Sequence, residues 1–189
     1  MIISKMFAIL YWVWIASELL LQLVTRTTRS QGQLKDRGSL WLLLTVIFAS
    51  VWGAFAYGDT HPHTMLGGAH WLRPAALVIM LAGFAIRWTA IISLGSSFST
   101  NVAIHSTQTL RTTGLFRWVR HPSYTGMLLN FAAVGIYQRN WISLAIVIVF
   151  PTAALMYRIH VEESALREAF GAQYTEYSKS TSRLIPGIY

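Results

Sequence analysis

Five apolar runs recur along this chain of 189 residues, each set off from the next by a polar or basic connection. They cover residues 6–24, 40–57, 71–92, 124–137 and 141–157. That alternation limits the possible folds more than any other feature. About 20 apolar residues cross the hydrocarbon of a bilayer as a helix, because a helix satisfies its own backbone N–H and C=O groups where no water can. Only 12% of the residues are charged and 54% are hydrophobic, whereas soluble domains average about 25% charged. The chain is therefore expected to be an all-α, polytopic membrane protein with about five transmembrane helices. The fourth run is short for a full crossing. It pairs with the fifth as a C-terminal helical hairpin, closed by a tight turn at Gln138-Arg139-Asn140. Pro151 is expected to bend the fifth helix. Residues 158–177 then leave the membrane as a cytosolic amphipathic helix. The run at 6–24 reads as a span rather than a cleaved leader, since only Lys5 precedes it and no small-x-small site clearly follows. No repeat or linker divides the chain, so 1–189 is expected to be one integral membrane domain. Residues 1–92 supply three N-terminal spans and 93–189 form the half that carries chemistry.

Charge sets the expected orientation. Fifteen Lys and Arg stand against seven Asp and Glu. The basic residues gather in the first connection (Arg26, Arg29, Lys35, Arg37), in the third (Arg111, Arg117, Arg120) and near the end (Arg167, Lys179, Arg183). The second connection, 58–70, holds Asp59, His61, His63 and His70 but no Lys or Arg. Basic connections stay in the cytoplasm, so the N-terminus is placed outside and the C-terminus inside. The excess charge serves orientation and membrane lipids; no base-reading motif points to nucleic acid. With no cysteine, disulfides, thiolate zinc sites and thiol nucleophiles are excluded. His61-Pro62-His63 lacks a second ligand cluster at matching spacing and reads as a solvated loop, so no metal is expected. Glu18 and Arg87 lie within spans. Each could reach an interface, they could pair with each other, or Arg87 could point into a polar cavity.

Two polar clusters carry the chemistry. The first is Arg120-His121-Pro122-Ser123-Tyr124-Thr125-Gly126. Pro122 suits the first position of a helix, where its missing N–H costs nothing. The residue before a proline avoids the helical region, which makes His121 the cap. The free N–H groups of that first turn, with Arg120 and His121 beside them, could hold a carboxylate or phosphate. The bland alternative is a basic interface turn. The second cluster is Arg158-Ile159-His160-Val161-Glu162-Glu163, which the hairpin returns to the same side. Arg158 and Glu162 are four apart and share one helix face; Glu163 and Arg167 share another. The bland alternative here is a solvated face with intrahelical ion pairs.

The ordered set of motifs resembles the isoprenylcysteine carboxyl methyltransferase family of integral membrane enzymes. The matching residues are Gly95 with Phe98-Ser99, Thr109-Leu110, Gly114-Leu115-Phe116, Arg120 through Gly126, Glu162-Glu163 with Leu166, Phe170-Gly171, Tyr174, Tyr177, and Arg183-Leu184-Ile185-Pro186. The resemblance spans about the C-terminal half, from Leu94 onward; the N-terminal spans match only as apolar segments. It implies S-adenosyl-L-methionine as cofactor at the cytosolic face, touching Gln108, Thr109, Leu110, Arg111, Phe116, His121, Pro122, Ser123, Tyr124 and Glu162. It implies Arg158, with Tyr124, as the catalytic pair, Arg158 facing an acceptor carboxylate. The acceptor would be a lipophilic small molecule or a prenylated substrate from the bilayer. Phe116 stands where the family usually has Tyr, and Gln108 where members carry His. A phospholipid N-methyltransferase shares the cofactor and a similar Arg-His-Pro-x-Tyr signature, but an Arg aimed at an amine acceptor would oppose it. An NADPH-dependent sterol-type reductase looks similar at the same motif, yet Met127-Leu128 follow Gly126 where an acid is usual. A non-enzymatic membrane scaffold is the remaining alternative.

Overall fold

In the computed structural model, each apolar run becomes a helix, and each helix reverses the direction of the one before. The structure describes residues 2–25, 33–34, 38–61, 70–98, 103–104 and 109–188. The helices are α1 (Ile2–Val24), α2 (Ser39–Thr60), α3 (Leu72–Leu94), α4 (Pro122–Gln138) and α5 (Trp141–Ser180). Four of them, α1, α2, α3 and α5, are long and apolar enough to cross a membrane. The fourth has 17 residues, about 25 Å at the helical rise. It nevertheless runs between the same two ends of the bundle as its neighbours.

Side-chain contacts define those ends. At one end, the stacked rings of Phe7 and Tyr137 join α1 to α4, with centroids 3.9 Å apart. The Asn140 amide donates to the His61 carbonyl at 3.2 Å and joins the α4–α5 turn to the end of α2. At the other end, Arg158 of α5 meets Ser39 at the start of α2, and Arg87 of α3 meets Ser123 at the start of α4. The tight turn falls where the sequence placed it. Arg139 adopts a left-handed conformation (φ 58°), and Asn140 caps α5 by accepting from the N–H groups of Ile142 and Ser143.

Three details differ from the sequence reading. A two-residue antiparallel ribbon pairs Gln33 with Ile104 and Leu34 with Ala103, so the fold is all-α apart from this clip between the first and third connections. The clip brings the two basic connections to one end. The span and the amphipathic helix are not separate elements, because nothing between Tyr157 and Arg158 caps or breaks the helix. α5 therefore runs on to Ser180, with Pro151 inside it and Gly171 (φ 51°) as its non-helical residue. The amphipathic pattern itself is present: Arg158, Ile159, Glu163 and Ala165 are buried, while His160, Ser164, Arg167 and Glu168 are exposed. Residues 62 and 63 of the histidine tract lie outside the described residues.

The core is built from Phe7, Trp14, Leu43, Met80, Met127, Phe131 and Leu155. Trp14 meets Phe131 edge to face at 5.5 Å. In lipid, burial of apolar surface does not by itself drive helices together, and small residues that let backbones approach take over that role. Gly83 of α3 and Gly126 of α4 are such a pair. A methyl group added at Gly126 would lie 2.7 Å from the backbone nitrogen of Arg87, and one at Gly83 would lie 2.7 Å from the Gly126 carbonyl. Gly126→Ala should therefore force α3 and α4 apart and cost about 1–3 kcal/mol. Gly53→Ala, with nothing within 4 Å of the added carbon, should be neutral or stabilising by up to about 1 kcal/mol. Thermal unfolding of the two detergent-purified variants checks the contrast.

Candidate functional site

The site forms where three stretches converge: the turn from Gly114 into α4, the middle of α5, and the segment after α5. Pro122 occupies the first turn of α4, and the preceding His121 takes non-helical dihedrals (φ −124°, ψ 59°) as the cap. The carboxylate of Glu163, fully buried, gathers the rest. Its Oε1 accepts from Arg120 Nε at 2.9 Å. Its Oε2 accepts from Arg167 Nη2 at 3.0 Å and from Arg183 Nε at 3.2 Å. His121 Nε2 lies 3.5 Å from Oε1. Burial alone would raise this carboxyl. Hydrogen bonds from His121 and Arg120, with the charge of Arg120, outweigh burial and hold it well below the usual carboxylate range.

Around that centre, the backbone is stapled to the C-terminal segment. Arg120 N–H donates to Ser182 O at 2.8 Å and His121 N–H to Arg183 O at 3.0 Å. The Thr125 hydroxyl donates to Leu184 O at 2.8 Å. Arg120 Nη1 donates to the carbonyls of Ser178 and Thr181. Burial pushes the Tyr177 phenol up to about 12, against the lowering effect of Arg120. It stays protonated and donates to the Phe116 carbonyl at 2.6 Å. Arg120 is thus held by the protein's own carboxylate and carbonyls. Tyr124 and Thr125 N–H both point back to His121 O.

A second line of polar groups runs beside the first. Ser39 Oγ accepts from Arg158 Nη1 at 2.9 Å. Arg158 Nε donates to the Tyr124 hydroxyl at 3.0 Å. That hydroxyl donates to Glu162 Oε2 at 2.8 Å. Arg158 is 3% exposed, whereas the Glu162 side chain is 31% exposed. The line thus passes from a buried cation to an accessible anion through one phenol. The His121 ring stacks near Tyr124 at 5.6 Å, and its Nδ1 lies 3.8 Å from Glu162 Oε2. His121 Nε2, on the other edge of the ring, faces Glu163 Oε1 at 3.5 Å.

Of the sequence candidates, His121, Pro122, Ser123, Tyr124, Arg158 and Glu162 come together. Phe116 is buried beside them, its carbonyl held by Tyr177. Thr109 and Arg111 are exposed and Leu110 is half-buried. Among the described residues, no hydrogen bond or ion pair ties these three to the cluster. Gln108 lies outside the described residues. Sequence reasoning missed the weight of Glu163, which it treated as one half of a surface pair with Arg167. It also missed Ser39. It left Arg87 open, and the structure decides for pairing: Arg87 is 4% exposed, binds both oxygens of Glu18, and reaches the Ser123 carbonyl through Nη1 at 3.2 Å. The available signal was compositional: Glu162, Glu163, Glu168 and Glu176, four of the chain's seven acids, lie in the same stretch as Arg167 and Arg183.

The geometry can now be set beside known proteins. The sequence profile of the isoprenylcysteine carboxyl methyltransferase (ICMT) family matches residues 76–168. The bundle superposes on the eukaryotic intramembrane Ras methyltransferase ICMT with a TM-score of 0.63 and 32% identity, over 77% of this chain and 52% of that one. This chain belongs to the ICMT family. Among its relatives, the protein-S-isoprenylcysteine O-methyltransferase of Tribolium castaneum is 33% identical over 149 residues, which is 76% of this chain and 52% of that protein. The protein-S-isoprenylcysteine O-methyltransferase A of Arabidopsis thaliana is 33% identical over 120 residues, 62% of this chain and 61% of that one. The chain therefore spans between about half and three-fifths of the length of these relatives. The profile match takes in Arg87, His121, Tyr124, Arg158, Glu162 and Glu163, and leaves out Glu18 and Ser39.

Glu163 gives this ICMT-family site an acid-sensitive foundation. A carboxyl whose folded value is depressed contributes stability above its unfolded value, near 4.5, and loses it as pH falls below that toward the folded value. The unfolding temperature should be flat between about pH 7 and 5.5 and drop below about 4.5. Glu163→Gln should unfold at lower temperature at pH 7 and show a shallower acid drop. Glu163→Ala should cost about 3–5 kcal/mol by stranding buried guanidinium charge.

Proposed function

We propose that this protein is an S-adenosylmethionine-dependent membrane methyltransferase that methylates the carboxylate of a lipophilic acceptor of the S-prenylated cysteine type. The single observation that carries this reading is the line Ser39–Arg158–Tyr124–Glu162 beside the His121 cap. The residues present fit the cofactor. Glu162 offers an accessible carboxylate for a sulfonium or amine, next to the buried His121 ring, whose Nδ1 lies 3.8 Å from it. Phe116, Pro122, Ser123 and the stretch Gln108, Thr109, Leu110 and Arg111 are proposed to complete its enclosure, as the family resemblance implies.

When bound, S-adenosylmethionine supplies a methyl group already activated on sulfur. The protein's own task is then alignment. Arg158, held by a serine on one side and a phenol on the other, keeps a guanidinium charge fixed in place toward an acceptor carboxylate. An ionised carboxylate is a nucleophile without a general base, so positioning supplies most of the acceleration. Tyr124 ties the acceptor-side cation to the donor-side anion and keeps the two at one separation. A phospholipid amine gains nothing from Arg158, which favours the carboxylate acceptor over phosphatidylethanolamine. The clip that gathers both basic connections at the site end supports a cytoplasmic site, with the C-terminus inside and the N-terminus outside.

Titration of the purified protein with S-adenosylmethionine and, in parallel, with NADPH tests the assignment. Saturable binding of the first alone is expected, weakened at least about tenfold by Glu162→Ala, the loss of one charge-assisted bond. Arg158→Ala should abolish turnover of a prenylcysteine while sparing cofactor binding. Binding of NADPH instead, or equal loss of both properties in the Arg158 variant, would overturn the roles given. A screen with labelled cofactor across prenylcysteines, phosphatidylethanolamine, phenols and thiols names the acceptor.

A further inference from the structure

A groove of about 460 Å³ lies outside the site, between the turn before α4 and the segment that follows α5. Arg117, Trp118 and Lys179 line it, with the polar run Ser180 to Ser182 and Gly187 opposite. Its charge is unbalanced. Arg117 is exposed, with its guanidinium over the Trp118 ring at 4.8 Å. Among the described residues Lys179 pairs with Glu176, at 2.9 Å, and both side chains are largely in solvent, at 67% and 78% exposed. An exposed pair of this kind is worth about 0–1 kcal/mol and does not hold Lys179 against a better anion. Apolar surface adjoins the cations as a rim: Trp118 in the lining is 58% exposed, and Ile185 and Ile188, which flank the lining residues Pro186 and Gly187, are 49% and 79% exposed.

The groove's height in the fold explains that mixture. Val119, next to Trp118, bridges to Ser182, and α4 enters the apolar bundle three residues later at Pro122. The rim therefore lies where the apolar helices end, the level at which Trp settles in a bilayer. Two cations and the Ser182 hydroxyl, which accepts from Gly187 N–H and keeps its own proton to donate, beside exposed apolar side chains match a phosphodiester whose acyl chains continue into the membrane. Free phosphate would use the cations and leave the rim unexplained.

We propose that this groove binds the headgroup of an acidic glycerophospholipid and that the lipid clamps the C-terminal segment against the turn. One wall is the same Ser182–Arg183 backbone that receives the N–H groups of Arg120 and His121, so a headgroup bridging Arg117 to Lys179 closes the staple from outside. The inference stands apart from the methyltransferase reading and needs no acceptor or cofactor.

Thermal unfolding of the full-length protein in detergent tests it, with short-chain phosphatidylglycerol, short-chain phosphatidylcholine and inorganic phosphate added separately at equal ionic strength. Phosphatidylglycerol should raise the unfolding temperature saturably, and the other two should not. The double variant Arg117→Gln/Lys179→Gln should weaken the phosphatidylglycerol response about 30-fold, the effect of two interfacial cations. Trp118→Ser should weaken it as well, and Arg73→Gln, at the opposite end of the bundle, should leave it unchanged. Retention of phosphatidylglycerol in native mass spectrometry gives a second readout. An undiminished response in the double variant, an equal response to phosphatidylcholine, or full stabilisation by phosphate alone would overturn the proposal.

Discussion

One buried carboxylate holds the functional end of this protein together. Glu163 receives hydrogen bonds from three guanidinium groups, and each comes from a different part of the chain: Arg120 from the turn before α4, Arg167 from its own helix, Arg183 from the segment beyond it. Burying a single charge is costly, and attraction repays that cost only when partners surround it. Here they do, and the arrangement has a directional result. The cap residue His121 cannot leave its place without breaking the strand of backbone bonds to Ser182 and Arg183. Tyr124, one turn on, inherits that fixed position, and through it so do Arg158 and Glu162. The accessible Glu162 carboxylate is thus oriented by groups that solvent barely reaches.

Much of this was legible in the chain, because local rules govern it. Apolar runs of the right length become helices wherever water is absent. A proline after a histidine sets a helix start, and a four-residue spacing puts Arg158 and Glu162 on one face. The Arg-His-Pro-Ser-Tyr-Thr-Gly string and the Glu-Glu pair named residues that the structure brings together. What escaped depends on contacts between distant elements. Whether Glu163 faces solvent or a cluster of arginines is decided by where residues 178–184 fold back, and no periodicity encodes that. Ser39 lies at the start of an unremarkable apolar run, and its hydroxyl acquires meaning only when α5 passes alongside. The same holds for Arg87 and Glu18, which share no local pattern. The non-helical Gly171 escaped for another reason. A proline removes one hydrogen bond yet fits helical dihedrals, whereas Gly171 occupies φ 51°, a region that side chains resist.

Close approach of α3 and α4 complements the charge network. Because Gly83 and Gly126 let the two backbones meet, Arg87 lies level with the first turn of α4, near enough to hold the Ser123 carbonyl. Glu18, from α1, neutralises that arginine inside the bundle. The glycine in the signature string and the charged pair in the spans therefore serve one purpose: they fix the height at which α4 begins, and with it the height of the cap.

The reach of Ser39 and Glu18 into this region has an implication for how such proteins change over time. The stretch that defines the ICMT family begins inside α3, which invites a picture of an interchangeable lipid anchor joined to a conserved working part. The hydroxyl on α2 and the acid on α1 contradict that picture. Any recombination that traded the first two helices for those of a distant cousin would have to import both groups, or evolve substitutes for them, before the rest of the molecule recovered its shape.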